Sequence, residues 1–274
     1  MSNIQQAKID FENMLLESAE YSGNKLPEQK IFSASMLGND MLQIYLKYFN
    51  GTTSQKQYGM NTLGSVYQLG ADVAADNWNE RHYSQKKPQY QQALRLTYKL
   101  SNGWTISGEM DHIDWINNVI VDNKVVTETS VLKVKSEGKD NGYALQMGVY
   151  QFLLYNHMKT TFKIPEPEIF KVLLPMINKG HSLYKKINKT NILNMIEPET
   201  YSLADIEQLL IDKTNLLQEY IDLNEFPPEC ENLWWFGFGA APKKKMRCLH
   251  YCDQSKFCPN LTDHNVMTNL LDQL

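Results

Sequence analysis

The stretch WTISGEMDHIDWINNVIVDNKVV, residues 104–126, carries two β-rich runs on either side of Asn117-Asn118. The runs predict strands over 104–115 and 118–129, and the Asn pair is a turn that favours an antiparallel hairpin. Each run holds a carboxylate, Asp111 on the first and Asp122 on the second. A turn at 117–118 sets the two nearly opposite each other, and directly opposed residues have Cβ atoms about 4.5–5.5 Å apart. Lys124 stands two residues past Asp122 and so shares its strand face. Asn123 turns its side chain away but keeps a main-chain carbonyl beside the pair. Phosphodiester hydrolysis uses such a set: hard divalent cations take oxygen ligands, and a nearby cation holds the attacking water and stabilises developing charge. The same letters admit a plainer reading. Asp122-Asn123 is then the turn of a VIV/KVV hairpin, with Asp111 and Asp114 facing solvent.

Working outward, QALRLTYKL (92–100) predicts a strand joined to 104–115 by Asn102-Gly103. Helices are expected over 5–20, over 35–49 from an N-cap site at Ser33-Ala34-Ser35, and over 58–80. Beyond the hairpin, YALQMGVYQFLLYNHM (143–158) reads as a helix with Leu145, Val149, Phe152 and Leu153 on one stripe. Ile169 to Ile177 reads as a strand, with Pro165 and Pro167 before it and Pro175 making its far end an edge or an exit. A long helix starts near Ser202, with Asp205 in its first turn. Pro227-Pro228 mark a boundary. The order predicts an α/β fold, a central mixed sheet flanked by helices, divided as a core over 1–228 and a cysteine segment over 229–274.

The 274 residues are 42% apolar, enough for a buried core, and no apolar run approaches the roughly 18 residues that span a bilayer. The N-terminal MSNIQQAKIDFENMLLES lacks a signal peptide's pattern, so a cytoplasmic location is expected, or the host cytoplasm for a phage-encoded chain. A net charge of −4 argues against a general nucleic-acid binder but leaves local basic strips, Lys185, Lys186 and Lys189 in one place and Lys243, Lys244, Lys245 and Arg247 in another.

On two helices, pairs four residues apart share a face: Gln68 with Asp72, and Gln146 with Tyr150. The succession Gly108-x-x-Asp111, Asp122-x-Lys124 and Gln146-x-x-x-Tyr150 resembles the PD-(D/E)XK nucleases, and within them the RecB-type exonucleases, including phage and CRISPR-associated members. The resemblance covers about 32–160, with Phe32-Ser33-Ala34-Ser35 similar to the S-x-S start common in the group. It implies a restriction-endonuclease-like core acting on DNA, single-stranded or at duplex ends, with Mg²⁺ or Mn²⁺ held by Asp111, Asp122 and the Asn123 main chain. Lys124 would orient or activate the water, and Gln146 and Tyr150 would support the lysine and touch the DNA backbone. Many members carry a histidine ligand in G-x-x-x-H where Gly64 here leads to Gln68; a glutamine oxygen can still ligate a hard cation, and Asp72 through water. A catalytically inactive nucleic-acid- or partner-binding protein is the contrasting expectation, and a helicase or recombinase partner is left open. LKVKS (132–136) has strand shape, and Lys133 and Lys135 are read as a basic approach to DNA.

All four cysteines, Cys230, Cys248, Cys252 and Cys258, fall in C-x17-C-x3-C-x5-C near the C-terminal end. Thiolates at these gaps can enclose a tetrahedral Zn²⁺ or a [4Fe–4S] cluster. Bound metal would staple the segment to the core, with Trp234, Trp235, Phe236 and Phe238 as packing and Lys243, Lys244, Lys245 and Arg247 as phosphate contacts. RecB-type nucleases often carry an iron–sulfur cluster with three such late cysteines, but its first cysteine usually lies far upstream; here Cys230 would have to serve.

Overall fold

The computed structural model describes residues 30–50, 58–82, 89–178 and 191–231, together with 235–236, 244–245, 254 and 257–259. The helix expected over 5–20, the Lys185–Lys186–Lys189 group, Trp234, Phe238, Lys243, Arg247, Cys248 and Cys252 lie outside these residues.

Strand β1 (Ile31–Ser33) opens the described chain, followed by a 3-10 turn (Ala34–Met36) and helices α1 (Met41–Asn50) and α2 (Tyr58–His82). Strands β2 (Tyr90–Lys99) and β3 (Thr105–Asp114) come next, then the short β4 (Val119–Val121) and β5 (Lys124–Val126). Helices α3 (Glu128–Glu137) and α4 (Gly142–Thr161) follow. Strands β6 (Lys171–Asn178) and β7 (Leu193–Ile196) lead to the long helix α5 (Leu203–Leu223). A two-stranded piece, β8 (Trp235–Phe236) with β9 (Lys244–Lys245), lies in the C-terminal segment.

Among the described residues seven strands form one mixed sheet. β3 is its axis: β2 pairs with it antiparallel along its length, while on the other side β1 runs parallel to its start and β4 antiparallel to its end. β4 and β5 both run parallel to β6, and β7 closes that side antiparallel. The expected mixed sheet flanked by helices is therefore what the chain builds.

Capping fixes where the helices begin. Asn141 accepts the Tyr143 N–H at 3.0 Å to start α4, and Ser202 accepts the Asp205 N–H at 3.1 Å to start α5. The core-facing residues of α4, including Met147, Phe152 and Leu153, are buried, and Phe152 meets Tyr98 of β2 edge to face at 4.9 Å. Two glycines allow close approaches. A Cβ on Gly148 would lie 2.7 Å from Ile206 Cδ1 of α5. A Cβ on Gly38 would lie 2.6 Å from the Gly142 Cα, whereas one on Gly142 would sit 3.9 Å from the Gly38 Cα.

Several expectations are corrected. The helix over 35–49 is a 3-10 turn and a separate α1, because the chain bends at Gly38 where it presses on Gly142. The strand over 118–129 is two short strands followed by a helix start, since Thr127 caps α3 by accepting the Ser130 N–H at 3.4 Å. LKVKS is accordingly helical: Val131 and Val134 are buried three residues apart, a spacing that a strand cannot place on one face. Pro175 lies inside β6, which continues to Asn178. β1 and β7 were not anticipated; both are three or four residues long. Among the described residues no helix is long and apolar enough to cross a membrane.

Candidate active site

The β3–β4 ladder ends at His112↔Val121, so the next pair in register is Asp111 with Asp122. The Asn117-Asn118 turn makes this possible. Asn118 adopts φ 56, and the Asp114 carboxylate accepts the main-chain N–H groups of Ile116 and Asn117 at 3.1 and 3.0 Å. Asp114 is thus buried turn structure rather than a solvent-facing acid. Its burial would raise its pKa, but the hydrogen bonds from Asn117 and Gln89 outweigh that and hold it below the ordinary value.

Asp122 is 1% exposed, and its Oδ2 lies 2.5 Å from Lys124 Nζ. Asp111 Oδ2 accepts the Asn123 main-chain N–H at 2.7 Å. Burial, followed by the adjacent Asp122 charge, pushes the Asp111 carboxyl up to about 7 against the opposing pull of Lys124. Burial alone would lower the Lys124 ammonium, but Asp122 and then Asp111 raise it, so Lys124 stays charged. The lysine also stands 5.8 Å from the Tyr143 ring centre.

α4 supplies the facing wall. Gln146 Nε2 donates to the Tyr150 hydroxyl at 2.6 Å, and burial followed by Asp122 raises the Tyr150 phenol. Gly108 permits this approach, because a Cβ there would stand 2.8 Å from Tyr150 Cε1 and 2.9 Å from Leu153 Cδ1. The glycine of the G-x-x-D run is therefore a packing requirement for the tyrosine of the Q-x-x-x-Y run.

α2 reaches the same place by a different route. Gln68 Oε1 accepts from Asn123 Nδ2 at 3.2 Å, and Gln68 Nε2 donates to Asp72 Oδ1 at 2.9 Å. That Asp72 oxygen lies 3.0 Å from His112 Nε2, and His112 Nδ1 is 3.3 Å from Asn123 Nδ2. Gln68, Asp72, His112 and Asn123 form a polar quartet that docks the helix on the hairpin. His112 and Tyr143 were not singled out from the sequence. Tyr143 continues the Gln146–Tyr150 stripe at helical spacing, which is a usable signal. His112 has none, because its role depends on how α2 docks.

The basic residues are less concentrated. Lys133 and Lys135 sit on α3, with Lys133 Nζ 4.0 Å from Glu137 Oε1. Lys244 and Lys245 form β9. Cys230 and Cys258 are half-buried. Among the described residues no three His, Cys, Asp or Glu side chains gather as a metal group. The site's oxygen donors are the two carboxylates with amide and main-chain oxygens around them.

No family model matches the chain, and no curated protein does. Solved structures do. The crystal structure of SSO0001 superposes with a TM-score of 0.56 at 14% identity, covering 92% of this chain and 97% of that one. At this identity the likeness is one of fold. The phage-related exonuclease from Haemophilus somnus 129PT aligns with a TM-score of 0.36 at 14% identity, over 70% of this chain and 82% of that one.

Proposed function

We propose that this chain is a divalent-metal-dependent deoxyribonuclease with a restriction-endonuclease-like core over 1–228, acting as an exonuclease on DNA ends or single strands. The observation that carries the reading is the crowding of Asp111 against Asp122, with Lys124 ion-paired at 2.5 Å. Burial first, and the Asp122 charge second, keep a proton on Asp111 up to about 7, so the pair forms a place short of positive charge. Oxygen donors of this kind fit Mg²⁺ or Mn²⁺. Asp111, Asp122 and the Asn123 main-chain carbonyl would hold the ion, with Gln68 and Asp72 contributing indirectly through Asn123. When bound, the ion supplies Lewis acidity and offsets the charge building on the phosphate.

The protein's own groups do the rest. Lys124, kept charged by Asp122, donates hydrogen bonds to the attacking water and the phosphate oxygens rather than removing a proton. Gln146 and Tyr150 hold each other through their hydrogen bond, and they would support Lys124 and meet the DNA backbone. Lys133, Lys135, Lys243, Lys244, Lys245 and Arg247 supply further phosphate contacts. Cys230, Cys248, Cys252 and Cys258 would hold Zn²⁺ or a [4Fe–4S] cluster as a structural staple; metal analysis and an absorption spectrum of the purified protein distinguish the two.

The deciding experiment digests end-labelled linear and circular DNA, single- and double-stranded, with Mn²⁺, Mg²⁺ or EDTA. Metal-dependent loss of linear DNA that disappears in Asp122→Ala supports the reading. Folded protein that binds DNA but cleaves none of these substrates replaces it with a binding function.

A further inference from the structure

The interruption between β4 and β5 is a single missing rung. Val121 pairs with Leu173 and Lys124 with Met176, the same register on both sides, so no residue is inserted or lost. The Asp122 N–H reaches Leu173 O at 3.1 Å. In a parallel ladder a residue that donates to one neighbour accepts from the residue two further along. For Asp122 that donor is position 175, and position 175 is proline, which has no N–H. The β7 side does not claim the position either. Asn178 donates to Ile192 O at 2.8 Å, so the hydrogen-bonded pairs with β7 fall at even positions of β6 and the N of residue 175 faces Asp122.

The consequence falls on the peptide that joins Asp122 to Asn123. Held by a rung at its carbonyl, this peptide would lie flat in the sheet, with the Asn123 N–H aimed at the β3 main chain near Met110. Instead that N–H is on the Asp111 carboxylate at 2.7 Å. The Asn123 carbonyl belongs to the next peptide, which leads into Lys124, where the ladder with β6 resumes. The geometry points to Pro175 as a positioning residue. By withholding one ladder donor it frees the Asp122-Asn123 peptide to tilt toward Asp111, and so sets the carboxylate pair for a divalent cation. This rests on the proposed metal site and adds to it a buried residue on a neighbouring strand.

The test uses the full chain with Pro175→Ala and Pro175→Val, both of which restore the N–H; valine also keeps most of the buried volume. Without metal, amide exchange by NMR is expected to show a protected new amide at position 175 and an Asn123 amide shifted away from its charge-bonded position. Titration calorimetry with Mn²⁺ is expected to show an affinity loss of about tenfold in both variants, the size seen when supporting groups around a metal site are removed. An unprotected amide at 175, or wild-type Mn²⁺ affinity in a folded variant, overturns the inference. Wild-type protein that takes up no Mn²⁺ overturns the nuclease reading along with it, a result distinct from wild-type and variants binding alike.

Discussion

Lys124 Nζ stands 2.5 Å from the almost completely buried Asp122 Oδ2, so the wall of the site is itself an ion pair. Removing one partner of a buried pair costs about 3–5 kcal/mol. Here the loss is smaller, because Lys124 retains some exposure and Asp111 can receive it. Asp122→Ala is expected to abolish DNA digestion while lowering stability by about 1–2 kcal/mol, scaled down from that range. Urea unfolding beside the digestion assay checks both. A collapse of the fold would mean the pair is chiefly structural.

Asp111 gives metal-free stability a definite pH dependence. Its folded carboxyl is raised to about 7 from 3.8, so between these values the native state holds a proton that the unfolded chain has released. Stability from this group therefore falls as pH rises from about 4 to 7, by a few kcal/mol in all. His112 works in the opposite sense: burial lowers it, so its share of stability is lost as pH falls through the ordinary histidine range. The difference between wild type and Asp122→Asn isolates the first effect, because removing the neighbouring charge brings Asp111 down. Thermal unfolding of both proteins from pH 4 to 8 should show a steeper decline in the wild type.

Metal should reverse that decline. A cation competing with the Asp111 proton stabilises the native state by mass action and does so more at high pH. Millimolar Mn²⁺ is expected to raise Tm at pH 8 by several times its effect at pH 5. Equal shifts at the two pH values would place the ion elsewhere.

Gly108 of β3, which packs against α4, and Gly148 within α4 separate packing from function. Gly108→Ala drives a Cβ to 2.8 Å from the Tyr150 ring, and Gly148→Ala drives one to 2.7 Å from Ile206. Both overpack and should cost about 1–3 kcal/mol. Only the first moves Tyr150, so at equal residual stability the first should cleave DNA at least tenfold more slowly than the second. Equal rates would remove Tyr150 from the site.

Asp72 and His112 should be energetically coupled through their 3.0 Å contact. A double-mutant cycle with Asp72→Asn and His112→Gln is expected to give an interaction of about 0.5–3 kcal/mol in unfolding. Additive effects would mean that the quartet does not hold α2.

What could be read beforehand divides along a physical line. Asp111, Asp122 and Lys124 were placed by strand alternation and one turn, and Gln146 with Tyr150 by helix spacing, all local rules. Helix α3 was misread because Val-Leu-Lys-Val-Lys alternates as well as it repeats by threes; the Thr127 cap and burial against the sheet decide the matter. β1 and β7 were invisible because they are too short to show a period and are held by partners distant in sequence. His112 escaped for the same reason, as did Pro175, which looks like a strand end until its neighbour across the sheet is known.

The contact between Gly38 and Gly142 is lopsided, and that gives it a history. A methyl at 38 runs into the other glycine's backbone at 2.6 Å, while a methyl at 142 meets Gly38 at an ordinary 3.9 Å. Position 142 can therefore drift while 38 stays fixed, and a lineage that has filled 142 has narrowed its own route to any change at 38. Among distant cousins of this chain, alanine or serine should turn up at the start of α4 long before any side chain appears in the bend that faces it.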